Sequence, residues 1–155
     1  NRIQDFVESL PGYHYNENGS STSLPTVQIK HKDTHIAFSP DFLFNNRFSF
    51  NYKGFEAALQ SQFVSKQYMT NAEVEELTLD KYFVSNLNLA YSFRPKKVLK
   101  EVTVGFTVYN LFNEKYENNG WASSDYTDTL ENRRNYAGYA AQAGTNVMGH
   151  VSFRF

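Results

Sequence analysis

The sequence predicts an all-β fold, an antiparallel up-and-down meander of about six strands, and three observations carry that reading. Five runs alternate apolar and polar residues at a period of two, the pattern of a strand with one greasy side. The connections between these runs alternate between short and long. Aromatic rings are interleaved with polar groups: 14 Phe, 11 Tyr and a single Trp make up 17% of the 155 residues. Even so, the mean hydropathy is −0.57.

The opening stretch, Arg2 to Tyr15, is the least regular, and part of it reads as a strand with Pro11-Gly12 marking a bend. Asn16 to Asp33 reads as a long connection, rich in Asn, Ser, Thr, Gly and Asp. The run Phe42 to Tyr52 then places Phe42, Phe44, Phe48, Phe50 and Tyr52 on one face, with Leu43, Asn45, Arg47, Ser49 and Asn51 on the other. Lys53-Gly54 breaks it as a tight hairpin turn does. The next run sets Phe55, Ala57, Leu59 and Phe63 opposite Glu56, Ala58, Gln60 and Gln62. Met69 to Leu79 is a second long connection.

The run Lys81 to Phe93 carries Phe83, Leu87, Leu89, Tyr91 and Phe93 on one face and Tyr82, Asn86, Asn88 and Ser92 among those opposite. It stops at Arg94-Pro95, because proline lacks a ladder donor. A short basic turn, Pro95 to Lys100, leads to a run with Val102, Val104, Phe106 and Val108 set against Thr103, Gly105, Thr107 and Tyr109. Asn113 to Ala141 is the third long connection. The last run, "NVMGHVSFRF", points Val147, Val151, Phe153 and Phe155 one way and Asn146, Met148, His150, Ser152 and Arg154 the other.

Composition narrows the function classes. A net charge of −1, from 15 Lys and Arg against 16 Asp and Glu, gives no bulk attraction to nucleic acid or anionic lipid. The lack of Cys removes disulfides, thiolate metal sites and thiol nucleophiles. No G-x-S-x-G and no isolated carboxylate pair points to catalysis, so an enzyme is not expected. His14, His31, His35 and His150 show no ligand spacing, and neither a metal nor a cofactor is expected. There is no signal peptide and no apolar run long enough for a membrane helix. The chain opens on Asn1, and its only methionines are Met69 and Met148, so it is expected to be a piece of a longer product.

A soluble antiparallel sandwich accounts for one apolar face per strand. Three features favour a membrane barrel instead. The alternating runs reach roughly ten residues, the length a tilted strand needs to cross hydrocarbon, whereas ordinary strands have about five or six. Rings cluster near strand ends at Tyr52, Phe55, Tyr91, Phe93 and Phe155, where barrel girdles lie. Short turns at one end and long loops at the other match periplasmic and outside connections. Every backbone group in lipid must be paired, so such a sheet must close, and about six strands are too few. The chain is therefore expected to form one arc of a larger wall.

The stretch Asn110-Leu111-Phe112-Asn113-Glu114-Lys115-Tyr116, "NLFNEKY", and the terminal "GHVSFRF" resemble the C-terminal end of TonB-dependent outer-membrane receptors. The resemblance covers the chain most strongly from Phe42 to Phe155. It departs in one place, where Ala143-Gly144-Thr145 stands for the Pro-Gly-Arg that often leads into the last strand. The resemblance implies a C-terminal segment of a transmembrane β-barrel of about 22 strands in the bacterial outer membrane. It implies an N-terminal plug and a segment engaging the TonB energy-coupling complex, both outside this chain, and a final strand that closes the barrel. Val151, Phe153 and Phe155 would then form the signal read by the barrel-assembly machinery. The implied function is active uptake of a scarce nutrient, an iron-siderophore, haem or cobalamin type ligand, with glycan uptake as the next choice.

Arg47, Glu56, Gln60, Gln62, Asn86 and Asn88 are candidates to face the plug or the solvated lumen. On the outside, the segment "NNGWASSDYTDTLENRRNYAGY" holds Trp121, Tyr126, Arg133, Arg134 and Tyr136. Rings and guanidinium groups there could stack on and pair with an anionic or aromatic small-molecule ligand. The plainer reading, which the residues favour, is a loop packing on its neighbours or on lipopolysaccharide. Two rival readings remain open at this stage: a smaller outer-membrane barrel acting as adhesin or enzyme, and a soluble β-sandwich binding module.

Overall fold

The computed structural model describes residues 1–95 and 99–155. Its strands are β1 (Arg2–Tyr15), β2 (Ser21–His35), β3 (Leu43–Tyr52), β4 (Phe55–Val64), β5 (Gln67–Tyr68), β6 (Thr78–Leu79), β7 (Tyr82–Phe93), β8 (Glu101–Tyr109), β9 (Glu117–Thr127), β10 (Thr129–Ala141) and β11 (Asn146–Arg154). The described residues contain no helix. The all-β expectation holds, but a single meander of about six strands does not. Instead, among the described residues, eleven strands form three sheets. Residues 96–98 of the expected basic turn lie outside the described residues.

The chain divides into two units that interleave along the sequence. The first comprises Asn1–Asp41, Ser65–Asp80 and Glu117–Ala141. Its main sheet has the order β10-β9-β1-β2. β1 and β2 form a long antiparallel hairpin, closed at residues 16–20 where Gly19 has φ 80°. β9 and β10 form a second antiparallel hairpin. The two hairpins join by a short parallel contact, Gly12 opposite Tyr126 and Tyr13 opposite Thr127.

Two of the long connections expected from the sequence are therefore strands. β2 occupies most of Asn16 to Asp33, and β9 and β10 fill most of Asn113 to Ala141. Met69 to Leu79 is nearer the expectation, since it is strand only at Thr78–Leu79, which pairs with Gln67–Tyr68. Pro11-Gly12 does not bend the chain out of the sheet: β1 runs through, with a register shift between Leu10 and Gly12. Such a bulge re-aims a strand without ending it. Glycine is required at position 12, because a Cβ there would lie 2.2 Å from the Tyr126 ring. Beside this sheet Met69, Leu77 and Leu79 form a buried cluster, against which Val74, Ala122 and Ala137 pack.

The second unit comprises Phe42–Val64, Lys81–Tyr116 and Gln142–Phe155. Its sheet has the order β11-β8-β7-β4-β3, and every pairing is antiparallel. Within this unit the strands follow one another as the alternation requires. The β3–β4 turn is the expected two residues, Lys53 at φ 45° and Gly54 at φ 86°. A hairpin this tight needs left-handed backbone that glycine adopts freely. A Cβ at position 54 would also meet the Ser92 carbonyl oxygen at 2.3 Å.

Candidate functional site

The five-stranded sheet has two chemically different faces, and the register defines both. Tyr52, Phe55, Tyr91, Val104 and Val151 stand in one cross-strand row. Phe50, Ala57, Leu89, Phe106 and Gly149 form the next, and Phe48, Leu59, Leu87, Val108 and Val147 the one beyond. Phe44, Phe63 and Phe83 close the far end, and Phe93 and Phe153, both opposite Val102, the near end. Most of these rings are uncovered: Phe48 is 70% exposed, Phe50 60% and Phe153 57%. A contiguous apolar area on this scale marks an interaction surface.

The length of this face is set by β7. From Phe83 to Phe93 the strand advances about 33 Å. Rings are concentrated towards its two rims, and between them lie aliphatic and small side chains together with Phe48, Phe50 and Phe106. One row breaks the apolar pattern and was not foreseen from the sequence: Asn46, Ser61 and Ser85. Ser85, 1% exposed, donates to Ser61 Oγ at 2.8 Å, so each serine has a partner.

The opposite face is an amide-rich carpet. Arg47, Glu56, Gln60, Gln62, Asn86 and Asn88 all lie on it, as the alternation predicts. An open hollow of about 460 Å³ is lined in part by Asn45, Arg47, Gln60, Gln62 and Asn86. A second, of about 370 Å³, is bordered by Arg47, Glu56, Gln60, Asn88, Thr107 and His150. Two of these side chains also serve the sheet itself. Asn88 Oδ1 accepts from Thr107 Oγ1 at 2.8 Å, and Asn86 Oδ1 accepts from the Asn110 N–H at 2.9 Å. His150 lies over Gly105, its cross-strand partner.

The NLFNEKY segment has a structural reason for its asparagines. Asn110 ends β8 with φ 49°, a left-handed conformation that asparagine tolerates better than other side chains. Its amide, 3% exposed, donates to the carbonyls of Glu114 (2.8 Å) and Ala143 (3.1 Å), while its Oδ1 accepts from the Glu114 N–H (2.8 Å). Thr145 Oγ1 donates to the Asn110 carbonyl at 2.6 Å, and the Thr145 N–H reaches Asn113 Oδ1 at 3.1 Å. The turn after β8 thus grips the residues that lead into β11. On β11, Val151 pairs with Val104 and Phe153 with Val102; Val151 is 55% exposed, and Phe155, just beyond the strand, 76%.

The segment expected to face outside is a two-stranded hairpin instead of an irregular loop, and it separates the five ligand candidates onto two faces. Tyr126 and Arg133 are directly opposite each other. Tyr126 is 6% exposed, and its hydroxyl donates to the Pro25 carbonyl. Arg133 makes a bidentate pair with Glu8 (2.7 and 3.1 Å) and also donates to Ser124 and Asn135. Burial pushes the Glu8 carboxyl up, but hydrogen bonds from Arg133 and His31 outweigh this and hold it below its ordinary value.

Arg134 points the other way. Its guanidinium pairs with Asp125 at 2.8 and 3.0 Å and lies 4.8 Å from the Tyr15 ring and 5.7 Å from the Tyr136 ring. The hydrogen bond to Asp125 raises its pKa above the ordinary guanidinium value. Both arginines are therefore neutralised by carboxylates of the same chain. Trp121 and Tyr136 stay accessible, at 60% and 40% exposure. The indole rests on Gly138 across the hairpin and borders a hollow of about 320 Å³.

Three histidines lie against carboxylates: His14 on Asp128 at 2.5 Å, His31 on Glu8 at 3.0 Å, and His35 on Glu73 at 2.8 Å and Asp41 at 3.3 Å. Among the described residues no group of His, Cys, Asp and Glu is arranged to hold a metal ion. Comparison with known proteins returned no matching family model, no matching curated protein and no matching solved structure.

Proposed function

We propose that this chain forms part of the wall of a TonB-dependent outer-membrane receptor, which takes up a scarce nutrient of the iron-siderophore, haem or cobalamin type. The observation that carries the membrane part of the reading is the apolar face of the five-stranded sheet with its ring-rich rims. Its length of about 33 Å makes about 23 Å of thickness at a barrel strand's tilt of about 45°, close to an apolar band of about 25 Å. A water-facing sheet gains nothing from Phe48, Phe50, Phe106 and Phe153 on one exposed surface. In lipid the same residues are at their favoured side, and the amide carpet opposite suits a solvated or plug-filled lumen.

Five strands cannot close a barrel of this class, which starts at about eight. The rest of the wall is supplied by strands beyond these residues, meeting the free edges of β3 and β11. The receptor assignment rests on the NLFNEKY segment and the β11 pattern. In it, Val151, Phe153 and Phe155 act as the assembly signal, and Trp121 and Tyr136 are the accessible outside side chains to meet a ligand. Transport follows from ligand binding outside, plug rearrangement driven through TonB, and passage along the amide-lined lumen.

The test is fractionation of the full-length protein together with ligand binding. Recovery in the outer membrane as a heat-modifiable barrel with a plug domain upstream, binding a metal chelate, supports the reading. A protein that remains monodisperse in buffer without detergent refutes it.

A further inference from the structure

Four cations of the five-stranded unit, Lys53, Arg94, Lys100 and Arg154, are gathered at one end of its sheet, whereas Arg47 lies within β3 on the amide face and Lys81 precedes β7 at the opposite end. Lys53 occupies the β3–β4 turn, and the Ser92 N–H donates to the Gly54 carbonyl at 2.8 Å, which sets that turn beside the end of β7. Arg94 follows β7. The Lys100 N–H donates to the Arg154 carbonyl at 2.8 Å, so Lys100 and Arg154 sit together across the next pairing. Lys53, Arg94, Lys100 and Arg154 are all exposed. Glu101 lies 3.7 Å from Arg94 and directly opposite Arg154. Glu56 lies 3.9 Å from Arg47, away from the four. A chain with net charge −1 thus presents a positive rim at its short-turn end.

Directly inside this rim, on the apolar face, lie Tyr52, Phe55, Tyr91, Phe93 and Phe153, between 39% and 58% exposed. Lys53 Nζ stands 5.2 Å from the Tyr52 ring centre, so the cation and the ring edge of the apolar band occupy the same level. A row of cations bordering an apolar, aromatic band has the profile of the boundary between acyl chains and phosphate headgroups. An acidic protein surface would answer the cations but leave the apolar band uncovered. The geometry points to a headgroup-binding rim: Lys53, Arg94, Lys100 and Arg154 bind the phosphates of anionic phospholipids at the short-turn side of the membrane. This assignment rests on the bilayer reading above and adds the class of lipid and the side on which it binds.

The experiment refolds the full-length protein into vesicles of phosphatidylcholine alone and of phosphatidylcholine mixed with phosphatidylglycerol, at low and high salt. Insertion is expected to rise with the anionic fraction. The rise is expected to shrink in high salt, because exposed charges are screened beyond about 8 Å at physiological ionic strength. Each basic side chain at an anionic surface contributes about fivefold in partitioning. The triple variant Lys53→Gln, Arg94→Gln, Lys100→Gln should therefore lose about a hundredfold of the anionic gain while inserting normally into phosphatidylcholine.

Equal insertion into both vesicles, insensitive to salt, overturns the headgroup assignment and leaves the barrel standing. Inorganic phosphate that displaces the protein from anionic vesicles better than chloride at equal ionic strength assigns the rim to a free oxyanion and also overturns it. No insertion into either vesicle overturns the bilayer reading and this inference with it.

Discussion

Replacing Asn110 by Ala removes three hydrogen bonds from one buried side chain: two donated by Nδ2 to the Glu114 and Ala143 carbonyls and one accepted by Oδ1 from the Glu114 N–H. At about 1 kcal/mol net each, these amount to about 3 kcal/mol. The backbone adds to this, since φ at position 110 is 49° and alanine in that region costs about 1 kcal/mol more. The expected loss is about 4 kcal/mol for Asn110→Ala and about 3 kcal/mol for Asn110→Gly, which loses the bonds but accepts the backbone. The assay is urea unfolding of the full-length protein in lipid or detergent, followed by far-UV circular dichroism and read as the shift in midpoint at constant slope. Midpoints unchanged from the native protein in both variants would refute the reasoning. An alanine variant more stable than the glycine variant would refute the backbone part alone.

Three further outcomes follow from the same geometry. Gly54→Ala forces a Cβ to within 2.3 Å of the Ser92 carbonyl at a left-handed φ of 86°, and should lower the melting temperature by disrupting the β3–β4 hairpin. Leu89→Arg on the apolar face should cost about 2–4 kcal/mol of insertion, whereas Gln62→Arg on the amide face should be near neutral; insertion titrations of the two variants decide it. The Glu8 carboxyl is held below its ordinary value of 4.5, so its contribution to stability is complete above that pH and is lost as the pH falls through the lower folded value. The pH profile of the melting temperature should fall on that acid limb, and Glu8→Gln should flatten it.

The sequence displayed one of the two units well and the other poorly, and the difference is physical. β3, β4, β7, β8 and β11 each concentrate their large apolar residues on one face, so a period of two is visible in the letters. β2, β9 and β10 have polar residues on both faces: Ser21, Thr22 and Ser23 open β2, and Ser123, Ser124 and Asp125 sit within β9. Side chains of that kind also build turns, so nothing local marked these segments as strands. β2 accommodates Pro25 because it is an edge of its sheet, where a missing N–H is tolerated.

The lumen candidates on the five-stranded sheet were legible because parity alone assigns a face. The ligand candidates were not. Whether Arg133 is free depends on Glu8, separated from it by 125 residues, and whether Tyr126 is exposed depends on Gly12 and Pro25. The basic rim was hidden for a related reason, since net charge averages over a topology that brings four cations to one end.

The two-faced sheet is the central claim, and single-cysteine labelling tests it most directly: these residues hold no native Cys, and any elsewhere in the full-length protein is replaced by Ser. Cysteines at positions 50, 89 and 106 share one row of the apolar face, and positions 49, 88 and 107 share the neighbouring row on the amide face. Each is labelled with an environment-sensitive fluorophore in the full-length protein in bilayers, with a quencher carried on the acyl chains. The account predicts strong quenching at 50, 89 and 106 and little at 49, 88 and 107. Equal quenching on both faces, or none on either, would contradict it.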